Sequence, residues 1–471
     1  MYKIGFDNDK YLEMQSEHIL ERINKFGGKL YLEFGGKLFD DYHAARVLPG
    51  FAPDSKIRML SRLKDEAEIV IVINASDIEK NKVRGDIGIT YDLDVLRLID
   101  AFRSFGLFVG SVVLTCYAEQ PAAMVFGKKL KKLGVPVYKH YPIPGYPSNL
   151  NLVVSDDGYG KNEYIKTSRK LVVVTAPGPG SGKMATCLSQ LYHEYQRGVR
   201  AGYAKFETFP IWNIPLKHPV NLAYEAATAN LDDVNMIDPY HLEAYGKSAV
   251  NYNRDVEVFP VLNAIFEKIE GQSPYKSPTD MGVNMAGNCI LDDEVVCKAA
   301  KEEIIRRYFT ALCDQAKGNS DGTEASKIEL LMNQTGISVD DRAVTIAAYE
   351  KSMETDGQPA VAISLEDGRI ITGKTSGLLG AASAAMLNAV KAIAGIDSEV
   401  DLIAPELISP IQELKTGILS SITLAIASAE PLYCSRISCP LAKASFNGTT
   451  EPSANLAKAC EELSIALVSF S

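Results

Sequence analysis

The stretch Lys170–Lys183, KLVVVTAPGPGSGK, decides the fold class of this chain. Its first half is a run of apolar, mostly β-branched residues, and its second half is a glycine-rich loop. A helical pattern follows the loop, from about Gly182 to Arg197. A strand, a tight loop and a helix in this order form the repeating unit of α/β proteins with parallel sheets. The stretch therefore predicts an α/β fold.

Similar units precede this stretch. Glu68–Asn74 (EIVIVIN) and Phe108–Leu114 are continuous apolar runs, and they alternate with helical patterns at Val95–Phe105 and Pro121–Leu133. Continuous apolar strands are typical of a sheet that is covered on both faces. We therefore predict Rossmann-like, doubly wound parallel sheets in the first two regions of the chain, followed by a smaller α/β or α+β C-terminal domain.

Two polar, glycine-containing stretches interrupt this alternation. Tyr141–Pro147 breaks the first series of strands and helices, and Lys317–Glu324 (KGNSDGTE) has the composition of a linker. These stretches indicate three domains, at residues 1–160, 161–322 and 323–471.

The glycine-rich loop has the context that a phosphate-binding loop requires. Its glycines let consecutive N–H groups point into one hollow, the helix start adds partial positive charge, and a lysine reaches the phosphate. We predict that a phosphate or another anion binds there. The expected contacts come from the loop and the first helical turn: Gly178, Gly180, Ser181, Gly182, Lys183 and Thr186.

The loop departs from a standard nucleotide loop at two positions. Pro177 stands where the first glycine belongs, and Met184 stands where a hydroxyl residue ligates Mg²⁺ in standard loops. ATP with Mg²⁺ is the candidate ligand, although the nearest hydroxyl is that of Thr186. The alternative is a turn in which the glycines serve packing alone.

A second string, Gly368–Thr375 (GRIITGKT), matches the phosphate-loop consensus literally. Asp367-Gly368 is a hairpin signal, however, and the β-branched residues that follow it favour an extended strand. We therefore predict a hairpin without a phosphate cradle at this position. The N–H groups of Gly373–Ser376, at the start of the following helix, are left as a weaker alternative anion site.

Polar residues elsewhere provide candidates for chemistry. If Ser277–Asn288 is helical, Asp280, Asn284 and Asn288 share one face, because they are spaced by four residues. Such a polar strip either lines a pocket or faces solvent. We predict catalytic roles for Lys183, Asp280 and Asn284. We predict substrate contacts for Asn288, Glu33 and Lys37. The last two residues lie at the end of another predicted strand, beside a glycine pair.

Composition excludes several classes of protein. A net charge of −10 over 471 residues argues against nucleic-acid binding, which requires a basic surface. Neither a signal peptide nor an apolar run of about 18 residues is visible, so we expect a cytoplasmic protein without a membrane partner. Cys434 and Cys439 have no second pair at zinc spacing, so the eight cysteines are expected to be reduced and metal-free. Homo-oligomerisation is left open.

Three strings together resemble a bacterial family of unknown function, number 1846 in the series of domains of unknown function: Leu32–Lys37, Gly178–Thr186 and Ser277–Asn284. The resemblance covers nearly the whole chain. It implies a Rossmann-like N-terminal part and an α/β C-terminal part. Some members of that family carry the label ATP-dependent peptidase.

These observations favour an intracellular protein that binds a small phosphorylated molecule. The leading functional class is a phosphoryl or nucleotidyl transferase, or an ATP-dependent ligase. The alternative is a non-catalytic nucleotide- or anion-binding scaffold protein. The peptidase label is disfavoured because no two-histidine zinc motif and no serine elbow occurs. An NAD-dependent oxidoreductase is disfavoured because the first 170 residues lack the dinucleotide glycine pattern.

Overall fold

The computed structural model of the chain describes residues 3–400, except positions 86, 366, 377 and 378. Beyond residue 400 it describes five positions between 402 and 413 and the strand Val468–Phe470. Cys434 and Cys439 lie outside the described residues. The chain divides into a larger unit, Ile4–Cys297, and a smaller unit formed by Lys298–Ser471 with Met1–Lys3. No helix among the described residues is both long enough and apolar enough to cross a bilayer.

The larger unit contains nine strands and twelve complete helices within its described part. Its strands are β1 (Leu30–Phe34), β2 (Ala67–Asn74), β3 (Phe108–Thr115), β4 (Val137–Lys139), β5 (Leu171–Thr175), β6 (Gly202–Phe206), β7 (Asn235–Ile237), β8 (Val250–Tyr252) and β9 (Gly282–Val283). Its helices are α1 (Asn8–Lys25), α2 (Tyr42–Val47), α3 (Ser55–Arg62), α4 (Ala75–Glu79), α5 (Tyr91–Ser104), α6 (Pro121–Lys132), α7 (Leu150–Val153), α8 (Lys183–Gln196), α9 (Pro219–Ala227), α10 (Pro239–Tyr245), α11 (Asn253–Glu270) and α12 (Pro278–Met281). Helix α13 (Asp293–Ala316) begins in this unit.

Seven of these strands form one entirely parallel sheet in the order β4-β3-β2-β5-β1-β6-β9. The predicted α/β class with a parallel sheet is therefore confirmed. The first two predicted regions share this one sheet. Strand β5 belongs to the second region, yet it lies between β1 and β2, which belong to the first. The predicted boundary at residue 160 falls inside the larger unit.

The order of the strands creates a topological switch point at the carboxyl edge of the sheet. From β1 the chain moves through β2 and β3 to β4 at one edge, and from β5 it moves through β6 to β9 at the other. Right-handed crossovers place the connections of these two series on opposite faces. Because β1 and β5 are neighbours, the loops that follow them diverge, and ligands of doubly wound sheets bind at such points.

Buried apolar side chains hold the sheet and its helices together. All five residues of β1 and of β5 are buried, as expected for central strands. Helix α8 packs on β1, β5 and β6, while α5 packs on β2 and β3. Phe34 and Phe206 stack at the carboxyl ends of β1 and β6, with ring centroids 4.0 Å apart. This packing fixes the positions from which the loops of the carboxyl edge emerge.

The smaller unit has a three-stranded antiparallel sheet in the order β11-β10-β12, formed by β10 (Ala360–Ser364), β11 (Ile370–Lys374) and β12 (Val468–Phe470). Besides the greater part of α13, this unit has the helices α14 (Thr323–Thr335), α15 (Ala343–Met353) and α16 (Ala381–Ala394). The hairpin predicted over 368–375 is confirmed, because β10 and β11 pair and Gly373 lies opposite Val361. The literal consensus match therefore lies in an extended strand.

Candidate functional site

The loop between β5 and α8 has a backbone that requires glycine at two positions. Gly180 and Gly182 have φ angles of +75° and +91°, a left-handed conformation that other residues rarely adopt. The Ser181 hydroxyl donates to the Gly178 carbonyl at 2.8 Å, and the Thr115 hydroxyl of β3 donates to the Ser181 carbonyl at 2.7 Å. The loop is thus held by its own serine and by strand β3.

The main-chain N–H groups of this loop are not used within the described part of the chain. Neither the N–H of Gly178 nor those from Gly180 to Lys183 donate to any described residue. They lie at the start of the 14-residue helix α8, whose partial positive charge favours an anion. Lys183 is half-buried and forms no hydrogen bond or ion pair with another described residue. The loop therefore has the unpaired donors and the cation that hold phosphate in other proteins.

One further donor lies a turn beyond the loop. The Thr186 side chain is fully buried, and its hydroxyl has no hydrogen-bond partner among the described residues. A buried hydroxyl without a partner costs about 1–3 kcal/mol. Buried polar groups in folded proteins are nearly always satisfied, which makes this hydroxyl one turn beyond the loop an unusual feature of α8.

Glu33 belongs to the same part of the molecule. It lies near the end of β1 opposite Val174 of β5, one residue before the strand ends, and accepts a hydrogen bond from the Tyr203 hydroxyl at 2.7 Å. Burial raises the pKa of the Cys187 thiol on α8, and nearby Glu33 raises it further while Lys183 lowers it. Glu33 and Lys183 therefore both lie near the same buried thiol.

A buried charged cluster continues from Glu33 along the same face of the sheet. Lys205 of β6 is the register partner of Glu33. Its ammonium group contacts Tyr252 and Asp255, and lies 2.8 Å from Glu207 Oε1. Although burial lowers the pKa of Lys205, Asp255 and Glu207 hold it well above the usual value.

Glu207, the first residue beyond β6, is the member of this cluster that can exchange a proton near neutrality. Burial raises its pKa to about 7, against the lowering effect of Lys205. The Tyr252 hydroxyl also donates to Glu207 Oε1, at 3.3 Å. Perturbed carboxylates of this kind gather at functional sites, since a group that titrates near neutral pH can give or take protons.

Sequence analysis named Glu33 as a substrate contact, but it did not single out Lys205, Tyr252 and Asp255. The available signal was the alternation of polar residues in Tyr203-Ala204-Lys205-Phe206-Glu207, which places three polar side chains on one buried face. Lys37, the other predicted substrate contact, is exposed in the loop after β1.

The continuous helix that the spacing of Ser277–Asn288 would require does not form. Helix α12 ends at Met281, Gly282 is extended, and β9 pairs with the end of β6. A separate 3-10 turn, Ala286–Cys289, follows. Strand pairing overrides the helical spacing here, because Gly282 and Val283 gain backbone partners at the edge of the sheet. Asp280, Asn284 and Asn288 therefore do not share one helical face.

The three residues have separate surroundings. Asn284 is buried, and its amide donates to the carbonyls of Thr208 at 3.1 Å and Pro210 at 3.0 Å. Asp280 accepts from the Tyr245 hydroxyl at 2.8 Å, and exposed Asn288 accepts from the Asn213 amide, also at 2.8 Å. The catalytic and substrate roles that we predicted for them stay predictions, without the shared face on which they were based.

Comparison with known proteins agrees with the resemblance seen in the three strings. The N-terminal model of the family described as "Domain of unknown function DUF1846" matches residues 4–336, and its C-terminal model matches residues 340–454. UPF0371 proteins of Streptococcus pyogenes serotype M3 and of Streptococcus uberis are each 60% identical to the chain over 421 residues, which is 89% of this chain and 85% of each relative. The chain therefore belongs to the DUF1846 family.

Proposed function

We propose that the larger unit binds the phosphate of a small phosphorylated molecule at the loop Gly178–Lys183. The observation that carries this proposal is the run of unpaired N–H groups at the start of α8, beside a lysine without an ion pair. The loop emerges where the connections of β1 and β5 diverge, which is the usual ligand position in doubly wound sheets. ATP with Mg²⁺ is the candidate ligand.

The reaction class that fits best is phosphoryl or nucleotidyl transfer, or ATP-dependent ligation. Lys183 and the loop N–H groups would neutralise charge on the phosphate that is transferred. A carboxylate with a pKa near neutrality, Glu207, would accept the proton of an attacking hydroxyl or amine. Because Met184 offers no hydroxyl ligand, Mg²⁺ would take protein ligands from carboxylates such as Glu33.

A non-catalytic anion-binding protein is the second candidate. It is favoured by Asn284, whose two amide hydrogens are already used by main-chain carbonyls, and by Met184 at the position of the metal-ligating hydroxyl. In this case the larger unit would bind the phosphorylated molecule and release it unchanged.

Calorimetry with the full chain separates these possibilities. Mg·ATP, ADP and inorganic phosphate would be titrated into the wild type, Lys183→Ala and Lys374→Ala. Lys183→Ala should weaken binding by about 1.5–3 kcal/mol, roughly 10- to 150-fold, the scale of a hydrogen bond to a charged group. Lys374→Ala, in the literal consensus match, is the control and should bind like the wild type.

Ligand turnover distinguishes the enzyme from the binding protein. Release of ADP or pyrophosphate in the presence of a panel of hydroxyl and amine acceptors would support a transferase or ligase. Binding without turnover across that panel would support the second candidate. Unchanged affinity in Lys183→Ala, or no binding of any of the three ligands by the wild type, would refute the proposed loop site.

A further inference from the structure

Three side chains that form no part of the proposed phosphate site converge at the end of the larger unit. His218 lies immediately before α9 and is 8% exposed, while Asp293 and Cys297 occupy the first turns of α13. Because Asp293 and Cys297 are four residues apart, they lie on one face of that helix. One ligand atom from each residue lies within 4.8 Å of the other two. We propose that these residues form a binding site for a zinc-like divalent transition-metal ion.

The spacing of the three side chains is close to that required around a single tetrahedral ion. Bonds of about 2.0–2.1 Å to nitrogen and oxygen and about 2.3 Å to sulfur place tetrahedral N and O ligands about 3.3 Å apart, and sulfur about 3.5 Å from each. His218 Nε2 lies 2.9 Å from Asp293 Oδ1 and 3.5 Å from Cys297 Sγ. Cys297 Sγ lies 3.6 Å from Asp293 Oδ2. An ion would bind here once the imidazole and the carboxylate moved apart by a few tenths of an ångström, with one Asp293 oxygen as the ligand.

The chemistry of the ligands selects the metal. Thiolate and imidazole bind Zn²⁺ and its neighbours in the transition series, whereas Mg²⁺ and Ca²⁺ require oxygen ligands. Three protein ligands leave the fourth tetrahedral position to water. The Asp293 side chain is 69% exposed, so solvent reaches the site from its side.

Metal binding must rearrange protons at this cluster. The Val220 N–H donates to His218 Nδ1 at 3.2 Å, so the neutral ring carries its proton on Nε2, from which it donates to Asp293. When a metal occupies Nε2, this proton moves to Nδ1 and the Val220 N–H loses its acceptor. The Cys297 thiol proton passes to solvent, since the thiolate is the ligand.

Equilibrium dialysis and cobalt spectroscopy of the full chain test the site. Zn²⁺ or Co²⁺ alone is the probe, and the variants are Cys297→Ser, Asp293→Ala and the control Cys313→Ser, an exposed cysteine on the same helix. Wild type and Cys313→Ser should show a thiolate-to-cobalt charge-transfer band and the strong visible bands of tetrahedral Co²⁺. Cys297→Ser should lose the charge-transfer band and bind one ion fewer.

Asp293→Ala provides a second variant whose folding is not in doubt, because the side chain is largely exposed. This variant should weaken the affinity for Zn²⁺ at this site by about 100-fold or more. At other metal sites, the loss of a residue that only hydrogen-bonds to a ligand already weakens metal affinity by about 10- to 100-fold. The proposal is overturned if the wild type shows no tetrahedral cobalt spectrum, or if Cys297→Ser and Asp293→Ala bind Zn²⁺ as the wild type does.

Discussion

Replacing Asn284 by alanine removes a buried carboxamide that bonds three main-chain groups. Its amide donates to the carbonyls of Thr208 and Pro210, and its oxygen accepts from the Ala286 N–H at 3.0 Å. In Asn284→Ala all three groups lose their partner in a region that water does not reach freely. With about 0.5–1.5 kcal/mol for each bond, the free energy of unfolding should fall by about 2–4 kcal/mol. The melting temperature should fall by roughly 4–12 °C.

The chain contains its own reporter for this experiment. Its single tryptophan, Trp212, donates from Nε1 to the Asn284 carbonyl at 2.9 Å, and the alanine variant retains that carbonyl. Urea unfolding followed by Trp212 fluorescence therefore reports on the altered region. Asn288→Ala is the matched control, because Asn288 is exposed and its change should stay within about 0.5 kcal/mol.

Asn284→Asp sharpens the test. Aspartate keeps the acceptor for the Ala286 N–H but turns an oxygen toward the carbonyls of Thr208 and Pro210, so it should destabilise the larger unit at least as much as alanine. If Asn284→Ala and Asn288→Ala unfold at the same urea concentration as the wild type, the carboxamide does not hold these loops together.

Two further changes test other parts of the chain. Because burial raises the pKa of Glu207 from 4.5 to about 7, its contribution to stability is full below pH 4.5 and is lost as pH rises through about 7. Between about pH 5 and 8 the free energy of unfolding of the wild type should therefore fall by on the order of 1–3 kcal/mol relative to that of Glu207→Gln. A difference between the two proteins that does not change with pH would contradict the raised pKa of Glu207. In Gly373→Ala, the new Cβ would lie 2.1 Å from the Ala385 nitrogen of α16. The smaller unit should lose about 1–3 kcal/mol by thermal unfolding. Gly380→Ala has open space around its new Cβ and loses only the N-cap preference of α16, so it should be destabilised less. Equal melting of the two variants would argue against the close packing at Gly373.

The sequence by itself determined the features that depend on neighbouring residues. Apolar runs such as Glu68–Asn74 predicted strands buried on both faces, and the alternation of strands and helices predicted the parallel sheet. The Asp367-Gly368 turn predicted the hairpin that removes the literal consensus match from consideration. These signals are reliable because the periodicity of side chains and the chemistry of turns act over a few residues.

Only the tertiary structure decided which distant segments meet. The place of β5 between β1 and β2 joins two predicted domains in one sheet, and the pairing of Gly282 and Val283 with β6 interrupts a segment that has helical spacing. Lys205 meets Asp255 across 50 residues, and His218 meets Cys297 across 79. Such contacts depend on burial and strand pairing summed over the whole unit, and no local pattern of residues encodes that sum.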